Sequence, residues 1–233
     1  MTRQIEDSIA ALFGADVAVA VLLVEGDHPP LLPVEEPAIA RAVPRRRAEF
    51  TAGRAAARLA MQRLGQMPQA VPSAPDRSPI WPAGLTGSIS HAAGFCGAVL
   101  TQKKGQTLGL DIEDSAPLEA DLWPLVLTPD EIAALGRLPA PARGLAAKRI
   151  FGIKEAAYKA QFPLTGAVIG FQALQVTLEA DPQARFARVH ATRLGTMVPE
   201  LGKLFPDQGI ICRTVGPAAA TFSLMIAGIS LPG

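Results

Sequence analysis

Apolar positions along the chain recur at two periods. Between Arg47 and Leu64 there is no proline, and Phe50, Gly53, Ala57, Ala60, Met61 and Leu64 fall on one stripe when successive residues are set about 100° apart. Arg47, Arg54 and Arg58 line one border of that stripe. A second helical window runs from about Arg143 to Gln161, where Ala146, Ile150, Ile153, Ala157 and Ala160 are spaced by threes and fours. Pro163 is expected to stop it, because proline lacks the amide donor that a continuing helix needs. The remaining apolar runs are strand-like. Phe95–Thr101 and Thr107–Glu113 flank Gln-Lys-Lys-Gly-Gln and predict a β-hairpin. Runs near Phe171–Leu178, Phe186–Thr192, Ile210–Val215 and Thr221–Ile229 predict a strand-rich C-terminal section. Gln66–Pro82 carries five prolines and reads as a surface loop, and Pro139–Ala142 as a shorter break.

Each half therefore offers one main helix followed by strands. The predicted fold class is α+β, with an N-terminal half over residues 1–115 and a C-terminal half over 116–233. The halves meet near Ser115–Leu118. No residue-level repeat accompanies this order, so a two-fold duplication rests on the order of elements alone.

Composition narrows the classes. Hydrophobic residues make up 49% of the 233 and charged residues 18%, enough for a sizeable core under a wettable surface. Twenty-two basic against 21 acidic side chains give +1, which argues against a general nucleic-acid coat. Cys96 and Cys212 cannot make a disulfide framework and stand in no metal-ligand spacing. The opening Met-Thr-Arg-Gln-Ile-Glu-Asp is unlike a signal peptide. The best apolar run, Val17 to Val24, has strand length, whereas a membrane span takes about 20 residues. A cytoplasmic monomer away from membranes is the expectation.

Four short elements carry chemistry. Asp111 and Glu113 end the predicted second hairpin strand and, two apart, face the same way. Hard oxygens so arranged suit Mg²⁺, which usually takes one or two carboxylates plus water and substrate phosphate. A solvated strand end is the plainer reading. Glu155 follows Lys154 and lies one helical turn before Lys159, a spacing equally good for an ordinary surface pair. Ser90-His91 closes a strand just before the hairpin. If Thr101 pairs near Thr107, His91 comes to the same sheet end as the acids, where it either holds a phosphate together with Ser90 or, as is commoner for a loop histidine, has no role. His28 and His190 read as residues without a site role. From Arg41 to Arg63 seven arginines meet one acid, a local charge of +6. Guanidinium groups bind phosphate bidentately; a solvated helix face is the plainer reading, and an RNA-binding helix the competing use. There is no Walker loop, dinucleotide-binding glycine fingerprint, nucleophile elbow or His-Glu-x-x-His.

Taken together and in this order, the four elements resemble the 4′-phosphopantetheinyl transferases of the surfactin and enterobactin synthase type. The resemblance covers about Arg45 to Pro163. It rests on Arg-Arg-Ala-Glu-Phe-x3-Arg-x3-Arg from Arg46, Trp81-Pro82-x-Gly84-x2-Gly87-Ser-Ile-Ser90-His91, Gly109-Leu-Asp111-Ile-Glu113, and Lys154-Glu155-Ala-x-Tyr158-Lys159. It implies a pseudo-two-fold pair of α+β halves with the site in the cleft between them. The implied reaction is Mg²⁺-dependent (Mn²⁺ as the alternative ion) transfer of phosphopantetheine from coenzyme A to a serine of an apo carrier protein. Adenosine 3′,5′-bisphosphate leaves.

Carried over, Asp111, Glu113 and Glu155 hold the metal. Arg46, Arg54 and His91 hold the 3′-phosphate end of coenzyme A, with Arg77 and Ser90 beside them. Lys154 and Lys159 face the pyrophosphate, and Glu155 or a metal-bound water serves as base. Asp76-Arg77-Ser78-Pro79 departs from the subgroup, which often has a glycine beside a basic residue there. The alternatives are another Mg²⁺-dependent phosphoryl or nucleotidyl transferase, or an RNA-binding protein using the arginine helix.

Overall fold

The computed structural model describes residues 1–179, 185–216 and 224–233. Its elements are α1 (Thr2–Ala10), β1 (Val17–Leu23), α2 (Pro44–Arg63), β2 (Thr86–Ala92), β3 (Phe95–Thr101), β4 (Gln106–Asp114), α3 (Trp123–Val126), α4 (Pro129–Gly136), α5 (Ala140–Thr165), β5 (Leu174–Leu178), β6 (Phe186–Ala191), α6 (Leu201–Leu204), β7 (Ile210–Val215) and β8 (Leu224–Pro232). The mixed α+β class is as predicted. Among the described residues no helix is long and apolar enough to cross a membrane. The start of the strand run predicted from Thr221 lies outside the described residues.

The expected hairpin does not form. β3 is the centre of a three-stranded antiparallel sheet in the order β1-β3-β2, so both of its edges are taken. β4, only a short turn further on, pairs instead with β8 at the edge of a five-stranded sheet, β4-β8-β7-β6-β5. A strand has two hydrogen-bonding edges, and β1 and β2 use both of them on β3. β4, assigned to the N-terminal half by sequence, thus sits in the sheet of the C-terminal strands.

The two sheets are nonetheless joined. Ser88 Oγ of β2 accepts from the Leu110 amide at 3.1 Å, and Ser90 Oγ accepts from the Ile112 amide at 3.1 Å. Both partners advance by two residues together, so β2 and β4 run side by side in the same direction. Two serine side chains take the place of a backbone ladder. Under this seam, α1 and the inward residues of β1, β3, β4 and β8 form one apolar cluster around Val99, Leu108, Leu110, Ile112 and Ile226. Val99 is fully buried on one face of β3, and its neighbours Ala98 and Leu100 are buried on the other, against α2. A third cluster packs α5 on the five-stranded sheet.

Two helical expectations are corrected. Proline does not end α5 at once: Pro163 forfeits only its own bond to the carbonyl four residues back, and the helix runs on to Thr165. Gly166 then stops it, with φ 63° and its amide on the Phe162 carbonyl at 2.8 Å. Nor is the arginine border of the apolar stripe a solvated face at Arg54 and Arg58, since both are buried. Arg58 meets both carboxylate oxygens of Glu35, at 3.1 and 2.9 Å, while Glu35 also accepts from the Val71 and Leu32 amides. The proline-rich "surface" loop is thereby pinned at Val71, which is fully buried.

Candidate active site

One cleft of about 1720 Å³ opens between α2, β2, β4 and α5. Arg46, Arg54, Arg77, Ser90, His91, Asp111, Glu113, Glu155 and Lys159 all line it. They arrive from separate stretches of chain, and the geometry shows how.

The acidic centre is made by β4 passing under α5. Thr107 Oγ1 donates to the Ala160 carbonyl at 2.8 Å, and a Cβ on Gly109 would collide with the Ala156 carbonyl oxygen. Only glycine lets the strand lie that close to the helix. Asp111 and Glu113 then face the helix side that carries Lys148, Phe151, Glu155 and Lys159. Asp111 is 3% exposed. Lys159 Nζ bonds Asp111 Oδ1 at 2.7 Å, Ser90 Oγ at 3.1 Å and the Leu110 carbonyl at 3.1 Å. Lys148, which sequence reasoning missed, donates to Glu113 Oε2 at 3.0 Å and meets Asp114 Oδ1 at 3.2 Å. Both acids therefore have basic partners. Burial pushes the Glu155 carboxyl above its ordinary range; Lys159 opposes this, and Asp111 and Glu113 add to it. Glu113 is raised by burial and then by Asp111, with Lys148 opposing.

The basic end is built by α2, β2 and the loop after α2. Arg46 Nη1 donates to His91 Nε2 at 2.8 Å, which requires a neutral imidazole. Burial accordingly lowers the His91 pKa, against the pull of Glu49. Arg54 lies over the Phe50 ring at 4.0 Å and donates to Ser73 Oγ at 2.9 Å. Its Nε is buried without a partner, and burial lowers its pKa to about 10. A guanidinium held this way, at a cleft wall and with a donor to spare, is ready for an oxyanion. Arg77 sits at φ 72°, the left-handed region that glycine prefers. The turn closes with a non-glycine residue there all the same, the Arg77 amide reaching the Ala74 carbonyl at 2.8 Å.

Lys154 is the exception. It is 2% exposed and bonds Glu131 Oε2 at 2.8 Å, the Val126 carbonyl at 2.9 Å and the Phe171 carbonyl at 3.0 Å. Its ammonium does not face the acidic centre. Adjacent helical residues point about 100° apart, so Glu155 faces the cleft while Lys154 anchors the other side of α5. Glu131 in turn caps α4 and accepts from the Val176 amide at 2.6 Å.

Among the described residues, no three His, Cys, Asp or Glu side chains converge closely enough to enclose a metal by themselves. The donor set still fits Mg²⁺. Asp111 Oδ2 is buried with no hydrogen-bond partner, opposite the bare Gly152, and a buried carboxylate oxygen left open wants a cation. Mg²⁺ needs only one or two carboxylates when water and phosphate complete its shell.

An acidic centre with a lysine beside it, and a buried and a half-exposed guanidinium at the other end, has the charge pattern that suits a polyanion with several phosphates. Comparison with known proteins makes this specific. The model of the 4′-phosphopantetheinyl transferase N-terminal domain matches residues 34–101, and that of the 4′-phosphopantetheinyl transferase superfamily matches 107–199. The chain is 38% identical over 169 residues to the 4′-phosphopantetheinyl transferase PptT of Mycobacterium tuberculosis, covering 71% of this chain and 73% of that one. Over 174 residues it is 33% identical to Npt of Nocardia iowensis, covering 74% and 78%. Enterobactin synthase component D of Salmonella typhi is 39% identical over 138 residues, covering 57% of this chain and 55% of the relative. The chain belongs to the 4′-phosphopantetheinyl transferase superfamily, enzymes that use coenzyme A to load carrier proteins.

Proposed function

We infer that this enzyme transfers the 4′-phosphopantetheine arm of coenzyme A to a serine of an apo carrier protein in a Mg²⁺-dependent reaction. Holo-carrier protein and adenosine 3′,5′-bisphosphate are the products. The observation that carries the reading is the meeting, in one cleft, of nine residues that lie on five separate stretches of the sequence. In the transfer the carrier serine oxygen bonds to the phosphorus bearing pantetheine, the pyrophosphate P–O bond breaks, and the serine proton passes to a base.

Asp111, Glu113 and Glu155 are the residues that would hold the metal, with Asp111 Oδ2 the open position. Bound there, Mg²⁺ would offset the negative charge that builds on the 5′-phosphate of adenosine 3′,5′-bisphosphate as it leaves. Lys159, beside Asp111, supplies a further positive charge for that group. Arg54 and Arg46 hold the 3′-phosphate, and neutral His91 donates to it through its free ring nitrogen. Ser90 keeps the Lys159 ammonium in place. Glu155, whose carboxylate lines the cleft, is the residue placed to receive the serine proton.

Intact-mass analysis of a panel of apo carrier proteins incubated with enzyme, coenzyme A and Mg²⁺ tests this. A gain of one phosphopantetheine arm, lost when a chelator is added, is expected. Unchanged masses across siderophore, polyketide and fatty-acid carriers would overturn the reading.

A further inference from the structure

Each acid at the cleft centre is held by a lysine, but the two lysines are not equivalent. Lys159 has three partners and keeps two of them if Asp111 is taken away. Lys148 is 9% exposed and has two carboxylates: Glu113 inside the cleft at 3.0 Å and Asp114 at its rim at 3.2 Å. The Asp114 side chain is 56% exposed, and its Oδ1 also accepts from the Ala116 amide at 3.0 Å, which fixes its orientation. The stem of Lys148 comes from α5, with the ammonium 5.9 Å from the centroid of the Phe151 ring. A single position of the ammonium serves both carboxylates, so it can give up Glu113 without leaving Asp114.

We propose that Lys148 and Asp114 form a latch on the acidic centre. Lys148 occupies Glu113 while no divalent cation is bound, and Asp114 retains Lys148 when a cation takes Glu113. The inference rests on the metal role given above to Asp111 and Glu113. An ammonium and a divalent cation on the same oxygen repel each other strongly at partly buried positions. Without a second carboxylate, cation binding would strand a largely buried ammonium, which is costly. Lys148 therefore weakens cation binding, and Asp114 limits that weakening.

Mn²⁺ titration of the whole chain without coenzyme A, with the free ion read by electron paramagnetic resonance, tests this apart from activity. Lys148→Met, which keeps the stem over Phe151, is expected to tighten Mn²⁺ binding about threefold to tenfold. Asp114→Asn is expected to loosen it about twofold to fivefold in the native background, and to have little effect on top of Lys148→Met. Unchanged or weaker binding in Lys148→Met overturns the latch. So does an equal loosening by Asp114→Asn in both backgrounds, since that would be plain long-range attraction. Should Lys148→Met fail to fold, Lys148→Gln carries the same comparison. Asp111→Asn is the control. If it abolishes Mn²⁺ binding while Lys148→Met changes nothing, only the latch fails; if it leaves Mn²⁺ binding intact, the metal assignment fails with it.

Discussion

Neighbours on α5 have opposite duties, and substitution separates them. Glu155→Gln keeps the shape but removes the charge, and turnover is expected to fall about 10²–10⁴-fold in a carrier-loading assay. The folded protein should gain stability at the same time. A carboxyl whose pKa is raised by burial favours the protonated folded state. Its contribution is fully present below the unfolded pKa and lost as pH rises through the folded one. The variant's advantage in urea denaturation should therefore grow as pH rises through that window and then level off. Lys154→Met should do the reverse. It leaves Glu131 buried at 1% side-chain exposure without its counter-ion, a loss of about 3–5 kcal/mol in urea denaturation. Catalysis per folded molecule should stay within a few-fold of normal. Sequence placed both residues in one motif, but it did not tell which pointed into the cleft. That depends on how α5 is rotated, and the rotation is set by Glu131 and the Val126 and Phe171 carbonyls, all distant in sequence.

At the scale of elements, the contact of β4 with α5 decides whether there is a site. The glycine of Gly109-Leu-Asp111-Ile-Glu113 is the point of closest approach. Gly109→Ala is expected to force the helix off the strand, costing at least about 1–3 kcal/mol as overpacking. Because Glu155 would move away from Asp111, activity of the surviving folded fraction should fall as well. Circular dichroism during thermal unfolding and a carrier-loading assay on the same sample would check both; a normal melting temperature with normal turnover would refute the contact argument. The helical window and most strand runs were legible from periodicity, since amphipathic spacing is local. The pairing of strands was not. A tight turn between two apolar runs reads as a hairpin only while both have a free edge, and β3 has none.

Over the whole molecule, the seam between the sheets carries the cleft. Ser88 is a buried residue of its lining, and its hydroxyl satisfies the Leu110 amide, which is buried and has no ladder partner on that side. Ser88→Ala should leave that donor orphaned and cost about 1–3 kcal/mol. Chemical denaturation reads the loss, and Ser88→Thr, which retains the hydroxyl, should recover part of it. The arginine helix is likewise understood only at this scale. Its local excess of charge is partly met by Glu35, Glu36 and Glu6 from the N-terminal segment, with Arg58, Arg47 and Arg63 as their partners. The sequence by itself determined the α+β class, the two main helices, and the presence of residue types suited to phosphate and metal, because propensity, periodicity and side-chain chemistry are local properties. Only the tertiary structure decided that β4 leaves β3 for β8, that Arg58 and Lys154 are buried clasps, and that Lys148 stands beside Glu113. Those outcomes follow from which edges are free and which charges find a partner when the chain closes on itself.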